Sequence, residues 1–163
     1  MTRVSRAWLF PVLVAAIAAV AIAFVGATIT HLGPWYRALA QPHWAPPDAA
    51  YAAAWTAIYA LTALAGVTAW LNMSGQREGE WLIGLFALNG FLNIAWSLLF
   101  FRLHRPDWAM VETIALWLSV AALIIFVWRR SIVAAVLLVP YLLWVTFAGY
   151  LTMTIVRLNG PFS

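Results

Sequence analysis

The sequence predicts an all-α membrane protein: a five-transmembrane-helix bundle with a Pro/Trp-rich loop capping a pocket between helices 1 and 2. Three observations carry this. Of the 163 residues, 66% are hydrophobic and 9% charged, whereas a soluble domain carries about 25% charged residues. Five apolar runs, at about 7–29, 50–72, 81–102, 108–128 and 131–156, are each long enough for a helix of ~20 residues to cross ~30 Å of hydrocarbon. One long aromatic interruption, Trp35 to Tyr59, stands among them. All five spans are expected to form one domain, residues 1–163.

Helices follow because the backbone must satisfy its own hydrogen bonds in lipid; a barrel would show alternating strands of about 10 residues. The net charge of +4 comes from arginine alone, and most arginines flank apolar runs. There they snorkel to headgroups rather than build a nucleic-acid surface. The chain has no cysteine, which excludes disulfides and thiolate chemistry.

The first run follows Arg3 and Arg6. It is too long for the 7–15-residue apolar core of a signal peptide, so a span is expected. Ala15, Ala19 and Ala23 recur every fourth residue, a small-residue ridge suited to tight helix packing.

The interruption holds three Trp, three Pro, three Tyr and His43 in 25 positions. Proline fixes φ and removes an amide donor, so Pro42, Pro46 and Pro47 predict a stiff, non-helical lid at the membrane surface. A ligand pocket is expected beneath it.

On the second helix Tyr51, Trp55, Tyr59, Thr62 and Gly66 fall within about 80° of arc. Helix packing with an interfacial aromatic belt explains Tyr51; for the deeper Trp55 and Tyr59 packing and a pocket wall are both open. Asn72 to Glu80 reads as a polar turn. The third helix aligns Asn89, Asn93, Trp96 and Ser97. An unpaired buried amide costs roughly 2–7 kcal/mol, so both asparagines should face the bundle. They either glue helices together or orient a ligand in an apolar cavity.

Asp107 is expected to cap the fourth helix. Glu112, the one acid inside a predicted span, is a functional candidate by default. It lies near the helix start, where the dipole favours an anion and Arg102 or Arg105 is expected to reach it, so a structural role is preferred. On the fifth helix Pro140, Trp144, Phe147 and Leu151 share a stripe, with Ala148 and Gly149 leaving room beside them; a pocket wall and simple packing both fit. His31, His43 and His104 show no metal-ligand spacing, and no metal site is expected. There is no phosphate loop and no nucleophile–base motif. Five arginines on the N-terminal side against four on the other are too even to set orientation.

Three motifs stand in one order: Trp35-Tyr36-x-x-Leu39-x-x-Pro42-x-Trp44-x-Pro46-Pro47 before Trp55, then Asn93-x-x-Trp96-x-x-x-Phe100, then Val139-Pro140-Tyr141-Leu142-x-Trp144. From about Gly26 to Asn159 the chain resembles the TspO/MBR family, the tryptophan-rich sensory proteins related to the mitochondrial translocator protein. The resemblance implies a multi-pass integral membrane protein, here of a bacterial membrane, often a homodimer. Its cavity would bind tetrapyrroles such as protoporphyrin IX or haem, or isoquinoline carboxamide and benzodiazepine-type ligands, with no obligatory cofactor. Carried over by motif, the pocket includes Tyr36, Pro42, Trp55, Asn93, Ser97, Trp144 and Ala148; the helical stripes and the lid add His43, Tyr59, Asn89 and Phe147. Arg37, His43 and Asn93 are candidates to meet porphyrin propionates. The expected role is tetrapyrrole binding for sensing or transport. Two alternatives are light-dependent porphyrin breakdown using Trp55 and Trp144, and a structural or partner-binding role. Likeness to mitochondrial members places the lid on the cytosolic side. The sterol-recognition pattern of animal members lacks its central Tyr, replaced by Met153, and Tyr150 lies one residue too far from Arg157 to restore it.

Overall fold

The computed structural model describes residues 4–30 and 32–162, with backbone alone for residues 4–8 and 10. Arg3 and His31 lie outside the described residues. Five helices are long and apolar enough to cross a membrane. They are α1 (Val4–Ile29), α3 (Asp48–Leu71), α4 (Gln76–Ser97), α5 (Pro106–Trp128) and α6 (Ile132–Asn159), with a short α2 (Pro34–Ala38) in the lid. A five-residue π-helical turn, Leu98–Arg102, extends α4.

Each helix runs past its apolar run where local chemistry allows. α4 begins at Gln76, so only Asn72 to Gly75 forms the turn that the sequence extends to Glu80. Glu78, in the first turn of α4, accepts the Ser74 amide at 2.9 Å and so satisfies a donor at the helix start. The same carboxylate pairs with Arg130, whose Nε donates at 2.9 Å. At the other surface α5 is entered from Arg105 with Pro106 in its first turn. Asp107 is therefore not the cap expected of it. A proline at the first helical position sacrifices no intrahelical bond, so the helix starts two residues early and Asp107 turns back to pair with Arg105 at 2.5 Å.

Contacts between elements place the helices around the bundle in the order α1, α3, α6, α5, α4. α5 and α6 form the most extensive pair. A Cβ at Gly149 would stand 2.9 Å from Thr113 Cγ2, so glycine is what lets these two helices close up. Away from the lid, Ala65, Ala69, Leu82, Leu123, Val127, Ala134, Ala135 and Leu138 form one buried cluster. α1 is peripheral. No residue of its most apolar window is buried, and it packs on α3 and α4.

The lid is partly helical, against the expectation. Pro34 sits in the first turn of α2 and Gly33 precedes it, the helix-starting use of proline. The chain then continues without helix past Pro42, Pro46 and Pro47, turning at His43 and Trp44. The lid is fastened at both ends. Asn159 accepts the Ala40 amide at 2.7 Å and donates to the Ala40 carbonyl at 2.9 Å. Trp35 stacks on His104 with centroids 4.2 Å apart, and His104 reaches that ring from a left-handed backbone, φ 54°, that histidine tolerates better than most residues.

Candidate ligand cavity

Beneath the lid, all five long helices surround a cavity of about 530 Å³. α3 supplies one side, because Tyr51, Trp55 and Tyr59 recur every fourth residue and project on one face. α6 supplies the facing side through Trp144 and Ala148 at the same spacing, and α4 contributes Asn93, Trp96 and Ser97. α1 offers only small side chains here, Ala23, Gly26 and Ala27, with Thr30 just past its end. Tyr36 closes the top, buried against Phe100 and Phe101.

The rings brace each other. Trp55 stacks on Tyr59 at 5.4 Å and meets Trp144 edge-on at 6.4 Å. Trp144 also meets Tyr51 edge-on at 6.0 Å. Such offset and edge arrangements suit the aromatic quadrupole, at about 0.5–1.5 kcal/mol a pair. Trp96 stacks on Phe100 at 5.1 Å and donates from Nε1 to Thr113 Oγ1 at 2.9 Å, which fixes its plane.

At the floor Asn93 accepts from Tyr59 Oη at 3.1 Å and donates from Nδ2 to Tyr141 Oη at 3.2 Å. Ser97 Oγ bonds back to the Asn93 carbonyl at 3.4 Å. Two wall residues hold donors with no partner: Tyr51 Oη and Trp144 Nε1 are shut off from solvent and unbonded. Asp48 is the one charged residue among those lining the cavity. Burial pushes the Tyr36 phenol above its ordinary value, and nearby Asp48 adds to this while Gln41 opposes it.

Of the residues that the sequence singled out for a site, Tyr36, Trp55, Tyr59, Asn93, Ser97, Trp144 and Ala148 line this cavity. Pro42, His43 and Phe147 do not. The Pro42 carbonyl accepts the Ala45 amide at 2.9 Å, closing a turn with His43 at its exposed tip. That turn sends Trp44 down between Tyr150 and Phe147, stacked on the first at 5.3 Å and edge-on to the second at 6.0 Å. Phe147 leans on Trp144 at 5.4 Å, so it couples lid to wall. Asn89 lies deeper and donates to Ser119 Oγ at 2.8 Å, joining α4 to α5.

Tyr51 is placed differently from the interfacial belt that the sequence suggested, since it sits in the wall against Trp144. Phe101, Leu116 and Thr113 are wall residues that the sequence did not mark, whereas Phe100 closes the Asn93–Phe100 motif. Among the described residues Glu112 has no arginine partner. Arg105 is committed to Asp107, and both Glu112 oxygens are buried without a hydrogen bond. Among the described residues no three His, Cys, Asp or Glu side chains gather to hold a metal.

A second cavity of about 510 Å³ lies between α1, α3 and α4. Ala15 and Ala19 line it and Ala23 lines the first, so the alanine ridge borders voids instead of sealing a helix contact. Thr62 and Gly66 continue the α3 stripe into this second cavity, and Tyr59 and Asn93 belong to both walls.

The TspO/MBR family model matches residues 12–158. The chain is 38% identical over 145 residues to tryptophan-rich protein TspO of Chlorobaculum tepidum, covering 85% of this chain and 89% of that protein. It is 36% identical over 146 residues to protein CrtK of Rhodobacter capsulatus, covering 86% and 89%. It is also 33% identical over 126 residues to the translocator protein of Sus scrofa, covering 77% and 75%.

Proposed function

Since the chain belongs to the TspO/MBR family of integral membrane proteins, we propose that its aromatic cavity binds a flat tetrapyrrole, protoporphyrin IX, in a sensing or transport role. One observation carries the reading: three tryptophans and three tyrosines from separate elements converge on a single cavity of about 530 Å³ under a fastened lid. That volume falls in the range of small-molecule sites, which are mostly apolar with a few placed polar groups. A planar macrocycle gains by stacking on such rings, each burying about 150–250 Å². Tyr51 Oη and Trp144 Nε1 are unbonded but covered, so an acceptor on the ligand would reach them on a small shift of their rings.

The wall favours metal-free porphyrin over haem. No His, Met or Cys is among the lining residues, so of the usual axial ligands only tyrosine would be left to haem iron. The same lining carries no cation, and Asp48 is acidic. Of the residues suggested for the propionates, Asn93 is in the wall with its amide already spent on Tyr59 and Tyr141, and Arg37 and His43 are exposed outside it. An uncharged flat aromatic amide of the isoquinoline carboxamide type suits this wall equally well. Trp55 and Trp144, edge-on at 6.4 Å, also keep light-dependent porphyrin breakdown open as a second reading.

Titration of the protein in detergent with protoporphyrin, haem and cholesterol tests this. Saturable quenching of tryptophan fluorescence by protoporphyrin, stronger than by haem, is expected; no saturable binding of any flat ligand overturns it. Illumination of the complex with loss of the visible porphyrin bands, absent in Trp55→Phe and Trp144→Phe, would identify breakdown.

A further inference from the structure

We propose that the second cavity is a transit site for uncharged apolar molecules dissolved in the bilayer, and that they pass from it into the aromatic cavity past Tyr59. This rests on the aromatic cavity being the ligand site.

The second cavity belongs to the lipid-facing surface. Val14, Ile83 and Phe91 line it and are exposed apolar side chains on the outside of the bundle, so its wall continues the face that the acyl chains cover. It carries no charged residue, which selects against ions and for neutral ligands. Thr62, in its wall, keeps a covered hydroxyl without a partner.

Only a thin partition separates the two cavities. Tyr59 and Asn93 line both, and the link between them is one hydrogen bond of 3.1 Å. On the α1 side the Tyr59 hydroxyl faces Gly26, where an added Cβ would stand in ordinary contact at 3.6 Å, so the glycine leaves about one methyl group of space beside the phenol. α1, the least buried of the long helices, is the element that gives way most easily.

The way through the lid is closed far more firmly. Opening it breaks the two Asn159–Ala40 hydrogen bonds, the Trp35–His104 stack and the Trp44–Tyr150 stack, and it exposes Tyr36. For a molecule already in the membrane, the lateral path breaks one hydrogen bond and the Trp55–Tyr59 stack.

The chain has no cysteine, so the two routes can be blocked separately. Ala63→Phe, or Ala19→Phe should the first fail to fold, fills the second cavity without touching the aromatic one. Ala40→Cys/Asn159→Cys, oxidised, ties the lid shut. The probe is a radiolabelled isoquinoline carboxamide added to protein in nanodiscs. Filling the cavity is expected to slow association and dissociation together, by about tenfold, with Kd unchanged, while the tied lid leaves both rates as they were. Rates that collapse with the tied lid, or survive in both filled variants, overturn the lateral route while leaving the ligand site standing. No saturable binding to the wild type overturns the ligand site and the route with it.

Discussion

Asn89 Nδ2 donates to Ser119 Oγ at 2.8 Å, a bond between α4 and α5 with both residues buried inside the bundle. Ser119 in turn donates to the Leu116 carbonyl at 2.7 Å. Interhelical bonds in membranes couple by about 0.6–1.7 kcal/mol, so Asn89→Leu and Ser119→Ala should each lower stability, and a double-mutant cycle should return a coupling in that range. Ligand affinity of the aromatic cavity should not change, because neither side chain lines it.

Asn93 differs because its amide serves two phenols. Asn93→Leu leaves both Tyr59 Oη and the buried Tyr141 Oη without their bonds, at about 1–3 kcal/mol for each unsatisfied group. Both the unfolding midpoint and protoporphyrin affinity should fall, the first measured in detergent and the second by fluorescence titration. A loss of affinity with stability intact would show that Asn93 acts on the ligand alone.

Trp55→Phe and Trp144→Phe keep a ring in the wall but shrink it, and Trp144→Phe also removes the free Nε1 donor. With aromatic pairs at about 0.5–1.5 kcal/mol, each variant should weaken protoporphyrin quenching by roughly tenfold or less, Trp144→Phe the more. Unchanged titration curves in both would remove the case for this cavity.

Asn159→Ala severs both lid bonds to Ala40. At about 0.5–1.5 kcal/mol for each net hydrogen bond, amide exchange across residues 39–47 should quicken by roughly tenfold or more. The bundle core, remote from Asn159, should keep its exchange pattern.

Glu112 has both carboxylate oxygens buried and unbonded. An amide of the same shape removes the possibility of an unpaired charge there, so Glu112→Gln should fold with stability equal to or above that of the wild type. A marked drop in its unfolding midpoint would reveal a partner for the carboxylate.

The spans were legible because apolar length alone dictates them in a membrane. Their ends were not: Glu78 and Pro106 start helices through local hydrogen bonds and ring geometry that a hydropathy reading passes over. The stripe of Tyr51, Trp55 and Tyr59 was legible as a face, since helical spacing fixes which residues share a side. What spacing leaves open is which neighbour that side meets. In helices that are apolar all round no polar face sets the rotation, so Thr113, Leu116 and Phe101 carried no mark of the wall they form. The alanine ridge of α1 misled for the same reason: small residues permit close approach but do not compel it.

The grip of Asn159 on Ala40 spans 119 positions of sequence. A chain made from its N-terminus inserts α1, α3, α4 and α5 before that amide exists, so the roof over the tryptophans is sealed last of all. The cavity therefore stays open above until the end of the last helix is in place.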